Sequence, residues 1–426
     1  MSQNVQRLRG TKDLYGDEAR QWEKLEAAAA AVFTRFGYEP IRTPILEPYA
    51  LFSRSVGEIT DIVQKEMYRF TDRSGDEVAM RPEGTASVVR AYLQNNLSQE
   101  RPVRKLYYAG PMFRAERPQA GRLRQFHQIG AEVFGSASAY TDAETMAVLA
   151  ELLKAAGIAK FRFEINNLGS SGDRAAFGGV LVKFFEGKES GLCKDCQTRL
   201  GKNVFRVLDC KNEACRALAA DAPLISDHVS DASKADFKLV QALLTDLKLN
   251  WSHNPRIIRG LDYYTHTVFE VKHDGLGAQD ALGAGGRYDG LVETLGGPAT
   301  PAVGFAVGVE RLFLAAAAET AGAAPAAQPR AGVAIAALGA DALRGAFAIA
   351  HALRLAGITC HMDLDARSLK AQMRQADRSG ARYAVILGSD ELAKGAAAVK
   401  DLSVSDAPQA EVPLAGLVDF FKQRSN

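Results

Sequence analysis

One arginine-rich segment, YYAGPMFRAERPQAGRLRQFHQIGAEVFG (Tyr107 to Gly135), constrains the fold of this chain more than any other. Two stretches with the composition of strands flank a connection that holds four guanidinium groups: Arg114, Arg117, Arg122 and Arg124. Turns between strands usually consist of Gly, Pro, Asn or Asp, and like charges held together repel one another. Because guanidinium groups fork onto phosphate oxygens, the segment predicts a β-hairpin whose connection meets a polyanion.

The period-two pattern of strands predicts a polar floor inside this hairpin. Gln128, Gly130 and Glu132 share one face of the second strand, and Tyr108 and Gly110 share a face of the first. Two facing glycines leave space where side chains normally pack, so Gln128 and Glu132 could offer acceptors to a cationic or NH-bearing ligand. The alternative is a solvated sheet face with an exposed basic turn, which does not account for the two glycines.

Length, composition and charge limit the class of protein. A chain of 426 residues with 47% hydrophobic and 24% charged residues is typical of a globular protein with two or three domains. The formal net charge of +2 excludes a generally basic nucleic-acid coat, so an anionic partner must meet local basic patches. The first residues contain no apolar signal segment, and the alanine run Ala27–Ala31 is too short to span a bilayer. We therefore expect a cytoplasmic protein without a membrane segment.

Four of the five cysteines lie close together in the sequence, and Cys360 stands apart. In a cytosolic protein such a cluster suggests a metal before a disulfide. Cys193 and Cys196 have the CxxC spacing of zinc ligands, but four residues instead of two separate Cys210 from Cys215. Reduced thiols that bind no metal are therefore the favoured interpretation, and a structural zinc ion is the alternative.

The distribution of helix and strand signals predicts an α+β protein of two domains. Residues 1–328 are expected to form an antiparallel-sheet core, interrupted over about 170–254 by a charged, helix-rich insertion. The Ala/Pro-rich segment Ala315–Gly332 is typical of a linker. Strands then alternate with helices, which indicates βαβ units and a parallel-type sheet in an α/β domain of residues 329–426.

Three local elements are predicted in more detail. A helix is expected over Thr141–Ala156, with Thr141 as its N-terminal cap. Tyr263 and Tyr264 are expected to lie in a strand. The run Gly283–Leu291 is expected to form a glycine-rich turn in which the backbone approaches a ligand closely.

Two further motifs carry candidate chemistry. MRPEGT places Glu83 and Thr85 at a predicted helix start, where Glu83 either faces the ammonium of a zwitterion or simply caps the helix. RGLDYY sets Arg259 beside two phenols, where its guanidinium could neutralise charge on a phosphate during acyl-phosphate formation. The sequence contains no GxGxxG, Walker A, HExxH or GxSxG pattern and no kinase set, which argues against dinucleotide binding and P-loop chemistry.

The arginine-rich segment resembles motif 2 of class II aminoacyl-tRNA synthetases, and FRAERPQAGRLRQFHQ is similar to the version found in histidyl-tRNA synthetases. GYEPIRTPILE resembles motif 1, AVGFAVGVERL resembles motif 3, and RGLDYYTHTVFE and GAGGRYDGLV resemble two histidine-specific signatures. The resemblance spans about Arg9–Phe421 and includes a C-terminal anticodon-binding domain. It implies a homodimeric class II core that joins L-histidine to tRNA(His), with ATP and its Mg²⁺.

The resemblance also implies roles for individual residues. Histidine would be surrounded by Glu83, Gly84, Thr85, Arg114, Gln128, Glu132, Arg259, Tyr263 and Tyr264. ATP would be held by Arg114, Phe126 and Arg311, with Phe126 stacked on adenine. The acceptor end of the tRNA would meet Arg117, Gln119 and Arg122. Arg259 and Arg114 would be the catalytic residues, and the resemblance implies no resident metal site.

Two other functions are compatible with parts of the sequence. A non-catalytic paralogue, acting as a regulatory subunit or amino-acid sensor, would typically lack the C-terminal domain and the histidine signatures, which this chain retains. A synthetase for another amino acid would not account for RGLDYY. The residues themselves favour histidine, because Gln128, Glu132 and two tyrosine hydroxyls suit an imidazole that both donates and accepts hydrogen bonds.

Overall fold

The computed structural model describes residues 4–58, 60–119, 121–258, 261–321, 330–365, 367–405 and 407–424, without the side chains of 278 and 279. The chain divides into two compact units, Met1–Gly322 and Ala323–Asn426. Each unit has its own sheet and its own hydrophobic core. No helix within the described residues is long and apolar enough to cross a bilayer.

A large, mainly antiparallel sheet forms the centre of the first unit. The strands of this unit are β1 (Glu39–Pro40), β2 (Leu46–Pro48), β3 (Arg69–Thr71), β4 (Glu77–Met80), β5 (Arg104–Phe113), β6 (Gln125–Phe134), β7 (Arg162–Asn167), β8 (Trp251–His253), β9 (Thr265–Lys272), β10 (Ala281–Arg287) and β11 (Ala302–Gly308). Eight of them form the sheet in the order β1-β5-β6-β11-β10-β9-β7-β8, with parallel pairing only at its two edges. The other three form a small antiparallel sheet in the order β2-β4-β3.

Helices cover both faces of the large sheet. The helices of the first unit are α1 (Gly16–Arg35), α2 (Tyr49–Val56), α3 (Thr85–Gln94), α4 (Ala139–Ala155), α5 (Ser171–Phe185), α6 (Lys194–Leu200), α7 (Phe205–Leu208), α8 (Glu213–Ala219), α9 (Asp231–Asp246), α10 (Leu291–Thr294) and α11 (Val309–Glu319). On β6, Ile129, Ala131 and Val133 belong to the core that α1, α4, α9 and α11 complete. The alternate residues of β6 therefore face the opposite side, where α3 and α5 lie.

The helix predicted over Thr141–Ala156 is present as α4, but its predicted cap was wrong. The Ser138 hydroxyl accepts a hydrogen bond from the backbone N–H of Tyr140 at 3.3 Å, so the cap lies three residues earlier. Thr141 is inside the first turn, where its hydroxyl pairs with that of Ser136 at 2.6 Å. An extended conformation at Ser138 allows this earlier start.

The glycine-rich run predicted as a turn is instead the strand β10, between β9 and β11. A Cβ atom on Gly285 would lie 2.3 Å from the carbonyl oxygen of Gly304 and 2.6 Å from the ring of Phe269. The glycines of this run thus permit close packing inside the sheet. Tyr263 and Tyr264 precede β9 and do not lie in a strand as predicted.

Between β7 and β8 the chain, which is fully described there, forms helices and no strands. This segment contains α5 to α9, and several of its apolar residues share a core with α3 and with the face of the sheet that carries Tyr108. Its longest helices are α5 and α9, and the three between them span seven residues or fewer.

The second unit is a mixed sheet with helices between its strands. Its strands are β12 (Val333–Ala337), β13 (Cys360–Met362), β14 (Tyr383–Leu387), β15 (Ala396–Asp401) and β16 (Ala410–Pro413), and its helices are α12 (Ala340–Leu355), α13 (Leu369–Arg378), α14 (Ser389–Lys394) and α15 (Leu417–Lys422). β13, β12 and β14 are parallel, as predicted. β15 and β16 were not predicted and are antiparallel, because the short connection through α14 reverses the chain direction at Gly395.

Candidate active site

A cleft of about 870 Å³ lies over the polar face of β5 and β6. The elements that line it include the β5–β6 hairpin, the start of α3, the segment around α6 and α7, the segment before β9 and the start of α11. Most of the predicted site residues meet there: Glu83, Thr85, Arg114, Arg122, Phe126, Gln128, Tyr263, Tyr264 and Arg311. The volume is that of a small-molecule site, which typically measures about 300–1,000 Å³.

The register of the hairpin confirms the predicted common face. Tyr108 lies opposite Gly130, and Gly110 lies opposite Gln128. The prediction that the two glycines leave room for a ligand was wrong, because side chains of the protein fill that room. A Cβ atom on Gly130 would lie 2.4 Å from the ring of Tyr108, and one on Gly110 would lie 2.6 Å from the guanidinium of Arg81.

The carboxyl group of Glu132 is fully buried and is joined to the cleft through Thr85, which lines it. Its Oε1 accepts a hydrogen bond from the Thr85 hydroxyl at 2.7 Å, and its Oε2 accepts one from the hydroxyl of Tyr288. Burial raises the pKa of Glu132 to about 8. On the neighbouring strand β11, a Cβ atom on Gly304 would lie 1.8 Å from Oε2, so only glycine fits beside this carboxyl group.

Three phenol rings gather next to this carboxyl group. The ring centres of Tyr263 and Tyr264 are 4.7 Å apart, and those of Tyr263 and Tyr288 are 5.6 Å apart. Burial raises the pKa of both Tyr263 and Tyr288, so their hydroxyls stay protonated at neutral pH. Sequence reasoning missed Tyr288 as a site residue. A phenol inside the glycine-rich run was the available signal, but the assignment of that run as a turn concealed it.

Glu83 caps the helix α3. Its Oε2 accepts from the backbone N–H of Thr85 and its Oε1 from that of Ala86, both at 2.8 Å. Burial raises the pKa of the Glu83 carboxyl. The residue also lines the cleft, so capping does not remove it from the site. Gly84, between Glu83 and Thr85, allows α3 to approach β5, because a Cβ atom on Gly84 would lie 2.2 Å from the ring of Tyr108.

The side-chain amide of Gln128 indicates that the cleft binds a ligand. Its Oε1 atom is buried and has no hydrogen-bond partner among the described residues, although the residue lines the cleft. Buried polar atoms in folded proteins almost always have a partner, and an exception calls for an explanation. A donor group on a molecule bound in the cleft would satisfy this oxygen.

Three guanidinium groups meet on the other side of the cleft. The Nε of Arg114 donates to the carbonyl oxygen of Pro82 at 3.0 Å, and its guanidinium lies 5.1 Å from the ring centre of Phe126. Arg311 donates to the carbonyl oxygen of Ala281 at 2.5 Å. Burial lowers the pKa of Arg311, and the nearby charge of Arg122 lowers it further. This crowding of positive charge favours an anion with several oxygens.

The residues predicted to meet a tRNA end do not all face the cleft. Arg122 lines it and pairs with Glu116 at 3.3 Å. Arg117 and Gln119 are exposed on the same connection, where the backbones of Gln119 and Arg122 exchange two hydrogen bonds. Arg259 lies outside the described residues.

Known proteins match this chain along nearly its whole length. A family model described as histidyl-tRNA synthetase matches residues 10–312, and one described as an anticodon binding domain matches residues 332–424. The histidine–tRNA ligase of Desulfosudis oleivorans is 48% identical over 411 residues, 96% of each chain. The chain belongs to the histidyl-tRNA synthetase family.

Solved structures agree with this assignment to the histidyl-tRNA synthetase family. The crystal structure of the apo S. aureus histidyl-tRNA synthetase has a TM-score of 0.83 at 35% identity, and the match covers 98% of this chain and 100% of that one. A Bacillus halodurans protein described as an ATP phosphoribosyltransferase regulatory subunit/histidyl-tRNA synthetase has a TM-score of 0.64 at 20% identity, which shows a shared fold alone. The predicted class II core with a C-terminal α/β module is confirmed.

Proposed function

We propose that this chain is a histidine–tRNA ligase. It activates L-histidine with ATP to histidyl-adenylate, releases pyrophosphate, and transfers the histidine to the 3′-terminal adenosine of tRNA(His). One observation carries this proposal: Thr85, which binds the buried carboxyl group of Glu132, lines the same cleft as the unsatisfied oxygen of Gln128 and the guanidinium of Arg114. A polar amino-acid pocket thus adjoins an anion-binding wall.

In this proposal the imidazole of histidine donates one hydrogen bond to Glu132 and accepts another from a hydroxyl of the Tyr263–Tyr264 pair. The ammonium group faces Glu83 and Thr85, and Gln128 contributes its free acceptor. A site that pairs a polar ligand in this way rejects analogues without the same groups by large factors, because the buried partners would be left unsatisfied. Selection for histidine then needs no editing domain.

The three guanidinium groups of Arg114, Arg122 and Arg311 are proposed to form the binding site for ATP. Arg114 and Arg311 contact the phosphates, and Phe126 stacks on adenine. Glu66 and Glu116 supply carboxylate oxygens beside Arg114, which are the ligands that Mg²⁺ prefers. Burial raises the pKa of Glu66, and the charge of Glu116 adds to this, so a divalent cation beside them would favour the ionised carboxylates. Mg²⁺ bound with ATP would shield the phosphate charge.

The chemistry relies on position and charge. The histidine carboxylate attacks the α-phosphorus of ATP in line, and pyrophosphate leaves on the opposite side. The substrate carboxylate is itself the nucleophile, so the step requires no side chain as general base. Arg114 would stabilise the charge that develops on the phosphate oxygens. Arg259 is proposed to contact the α-phosphate on the basis of its sequence motif.

Transfer requires a bound tRNA. Arg117, Gln119 and Arg122 are proposed to meet its acceptor end, on the connection that borders the cleft. Residues 329–426 are proposed as the anticodon-binding domain. Residues 1–328, with the insertion of about 170–254, are proposed as the catalytic domain. We also place the reaction in the cytoplasm.

A homodimer is proposed through motif 1. Apolar side chains around the small sheet support it, because Ile45, Leu46 and Phe70 are 40%, 50% and 44% exposed. Apolar surface that is exposed on a single chain is typical of a subunit interface. Analytical ultracentrifugation of the purified chain measures the mass of the assembly, which should be twice that of a single chain.

Amino-acid-dependent ATP–pyrophosphate exchange across a panel of amino acids tests the proposal. We expect exchange with histidine alone, followed by charging of tRNA(His). Absence of exchange with every amino acid would favour a non-catalytic paralogue that acts as a regulatory subunit or sensor. Exchange with an amino acid other than histidine would favour a synthetase of different specificity. Either result contradicts the proposed function.

A further inference from the structure

Four cysteines that the proposed reaction does not use meet in the helical segment between β7 and β8. Cys193 immediately precedes α6, Cys196 lies in the first turn of α6, Cys210 follows α7, and Cys215 lies in α8. The four sulfur atoms all lie within 4.8 Å of one another. Cys196 and Cys215 are fully buried. Positions up to 22 residues apart in the sequence thus converge on one point.

We propose that these four thiolates bind one structural zinc ion. Zinc in such sites is tetrahedral with Zn–S bonds of about 2.3 Å, which places the sulfur atoms about 3.8 Å from one another. The Sγ atoms of Cys193 and Cys210 are 3.9 Å apart. A disulfide requires a separation of about 2.05 Å, so the geometry corresponds to an edge of the tetrahedron and not to a bond.

Two sets of hydrogen bonds hold the sulfur atoms in this arrangement. The N–H of Cys193 donates to the Sγ of Cys215 at 3.2 Å, a contact that stabilises a thiolate and orients it toward a metal. The side chain of Asn212 caps α8 by accepting from the N–H groups of Ala214 and Cys215 at 3.0 and 3.3 Å. The cap fixes the position of Cys215 relative to the preceding turn.

This cap accounts for the unusual spacing of the second pair. The four residues between Cys210 and Cys215 include Asn212 and the first two residues of α8, so the chain turns back there and brings the sulfur of Cys215 close to that of Cys210. The spacing made a metal the less favoured interpretation of the sequence. The turn before α8 brings the two sulfur atoms together, as a spacing of two residues between the cysteines would otherwise do.

A metal would also add to the stability that this segment gains from its hydrophobic core. The helices α6, α7 and α8 are only seven, four and seven residues long. Isolated helices shorter than about 12 residues are marginal in water, so such a segment depends on cross-links or a core. Zinc bound by four thiolates provides folding free energy directly.

The same segment forms one wall of the cleft, through Lys194, Arg199, Arg206 and Lys211 among others. The Nε of Arg206 lies 2.9 Å from the Oδ1 of Asp262, directly before the tyrosine pair. Arg199 pairs with Asp61, which also lines the cleft, at 3.2 Å. Zinc would therefore stabilise the side of the cleft that faces the substrates. This consequence rests on the proposed function, whereas the proposal that the four cysteines bind zinc does not.

Metal analysis of the full-length chain, purified without chelators, tests the zinc site. We expect one zinc ion per chain by mass spectrometry, lost when Cys210→Ser or Cys215→Ser replaces a ligand. Cys360→Ser is the matched control, because this buried cysteine lies in the second unit and should leave the zinc content unchanged. Cobalt(II) in place of zinc should give the visible bands and the sulfur-to-metal charge-transfer band of tetrahedral thiolate coordination.

The wild-type chain alone keeps the test decisive if the serine variants fail to fold. A chain that takes up neither zinc nor cobalt after reduction overturns the proposal. So does a thiol titration of the unfolded, unreduced chain that finds one reactive thiol instead of five, since that result means two disulfides. Equal zinc loss in Cys360→Ser and Cys210→Ser would also overturn it. None of these outcomes depends on aminoacylation, so they leave the proposed function unaffected.

Discussion

At the scale of single residues, Glu132 links the site to the stability of the fold. Burial raises its pKa from 4.5 to about 8, so between these values the folded chain binds a proton that the unfolded chain releases. The stability that this carboxyl group contributes is present below pH 4.5 and is lost as the pH rises through 8. Glu132→Gln should therefore weaken the fall in the free energy of unfolding between pH 6 and pH 8, measured by urea denaturation.

The exposed Glu77 provides the control for this measurement. Hydrogen bonds from Thr71 and Arg69 lower the pKa of Glu77, so this carboxyl group stays ionised across the same interval. Glu77→Gln should leave the slope between pH 6 and pH 8 unchanged. If the free energy of unfolding of Glu132→Gln falls as steeply with pH as that of the wild type, the carboxyl group of Glu132 does not hold its proton at neutral pH.

Tyr288→Phe removes a donor to the same carboxyl group. Without the hydroxyl, Oε2 of Glu132 loses its hydrogen bond, which costs about 1–3 kcal/mol for a buried group. We expect the KM for histidine in pyrophosphate exchange to rise about tenfold, which corresponds to about 1.4 kcal/mol, while the KM for ATP stays the same.

Tyr140→Phe is the matched control for Tyr288→Phe, because its side chain is 62% exposed at the start of α4. It should leave both KM values unchanged. A rise in the KM for ATP equal to that for histidine would show that Tyr288 supports the whole cleft and has no specific role in the amino-acid pocket.

At the scale of elements, the β5–β6 hairpin separates two kinds of arginine. Arg114 faces the cleft, whereas Arg117 is exposed on the connection. Arg117→Ala should lower the rate of tRNA charging several-fold and leave pyrophosphate exchange unchanged. The loss should be greatest at low salt, because a phosphate contact contributes through the release of counterions. Parallel charging and exchange assays at two salt concentrations provide the measurement.

Arg20→Ala controls for the loss of a positive charge, since Arg20 lies on the exposed side of α1 and pairs with Asp17. Neither assay should change in this variant. Equal losses of exchange and charging in Arg117→Ala would mean that the connection positions ATP and does not contact the tRNA.

Most elements could be predicted because their signals are local. The strands of the hairpin follow period two, and α1 ends before Gly37, whose φ of +77° is easily adopted only by glycine. The wrong predictions fall on segments whose conformation depends on contacts with residues far away in the sequence. The run Gly283–Leu291 has the composition of a turn, yet Gly283 and Gly285 belong to a strand because β9 and β11 enclose it.

At the scale of the whole molecule, two separate cores predict two separable activities. A chain that ends at residue 321 retains the sheet, the cleft and the cores around them. We expect it to keep histidine-dependent pyrophosphate exchange and to lose most of its charging of tRNA(His), because the proposed anticodon contacts are gone. Circular dichroism of the shortened chain establishes that it is folded. A folded chain without exchange would contradict the assignment of the cleft to this unit alone.

The sequence by itself determined the hairpin, many of the other elements, the family and nine of the residues that line the cleft. These properties are encoded in spacing and in short motifs, which act within a few residues of the chain. It also identified Glu83 as either a cap or a ligand contact, a choice that short-range pattern alone left open.

Only the tertiary structure decided what fills the space beside the glycines, that Tyr288 bonds to Glu132, and that four cysteine sulfurs meet. Tyr288 and Glu132 are 156 positions apart, and their contact depends on the register of β6 with β11 and β10. The cysteines depend on how α6, α7 and α8 pack together. The physical reason is common to all three: a buried contact depends on the packing of elements far apart in the chain, which no local pattern records.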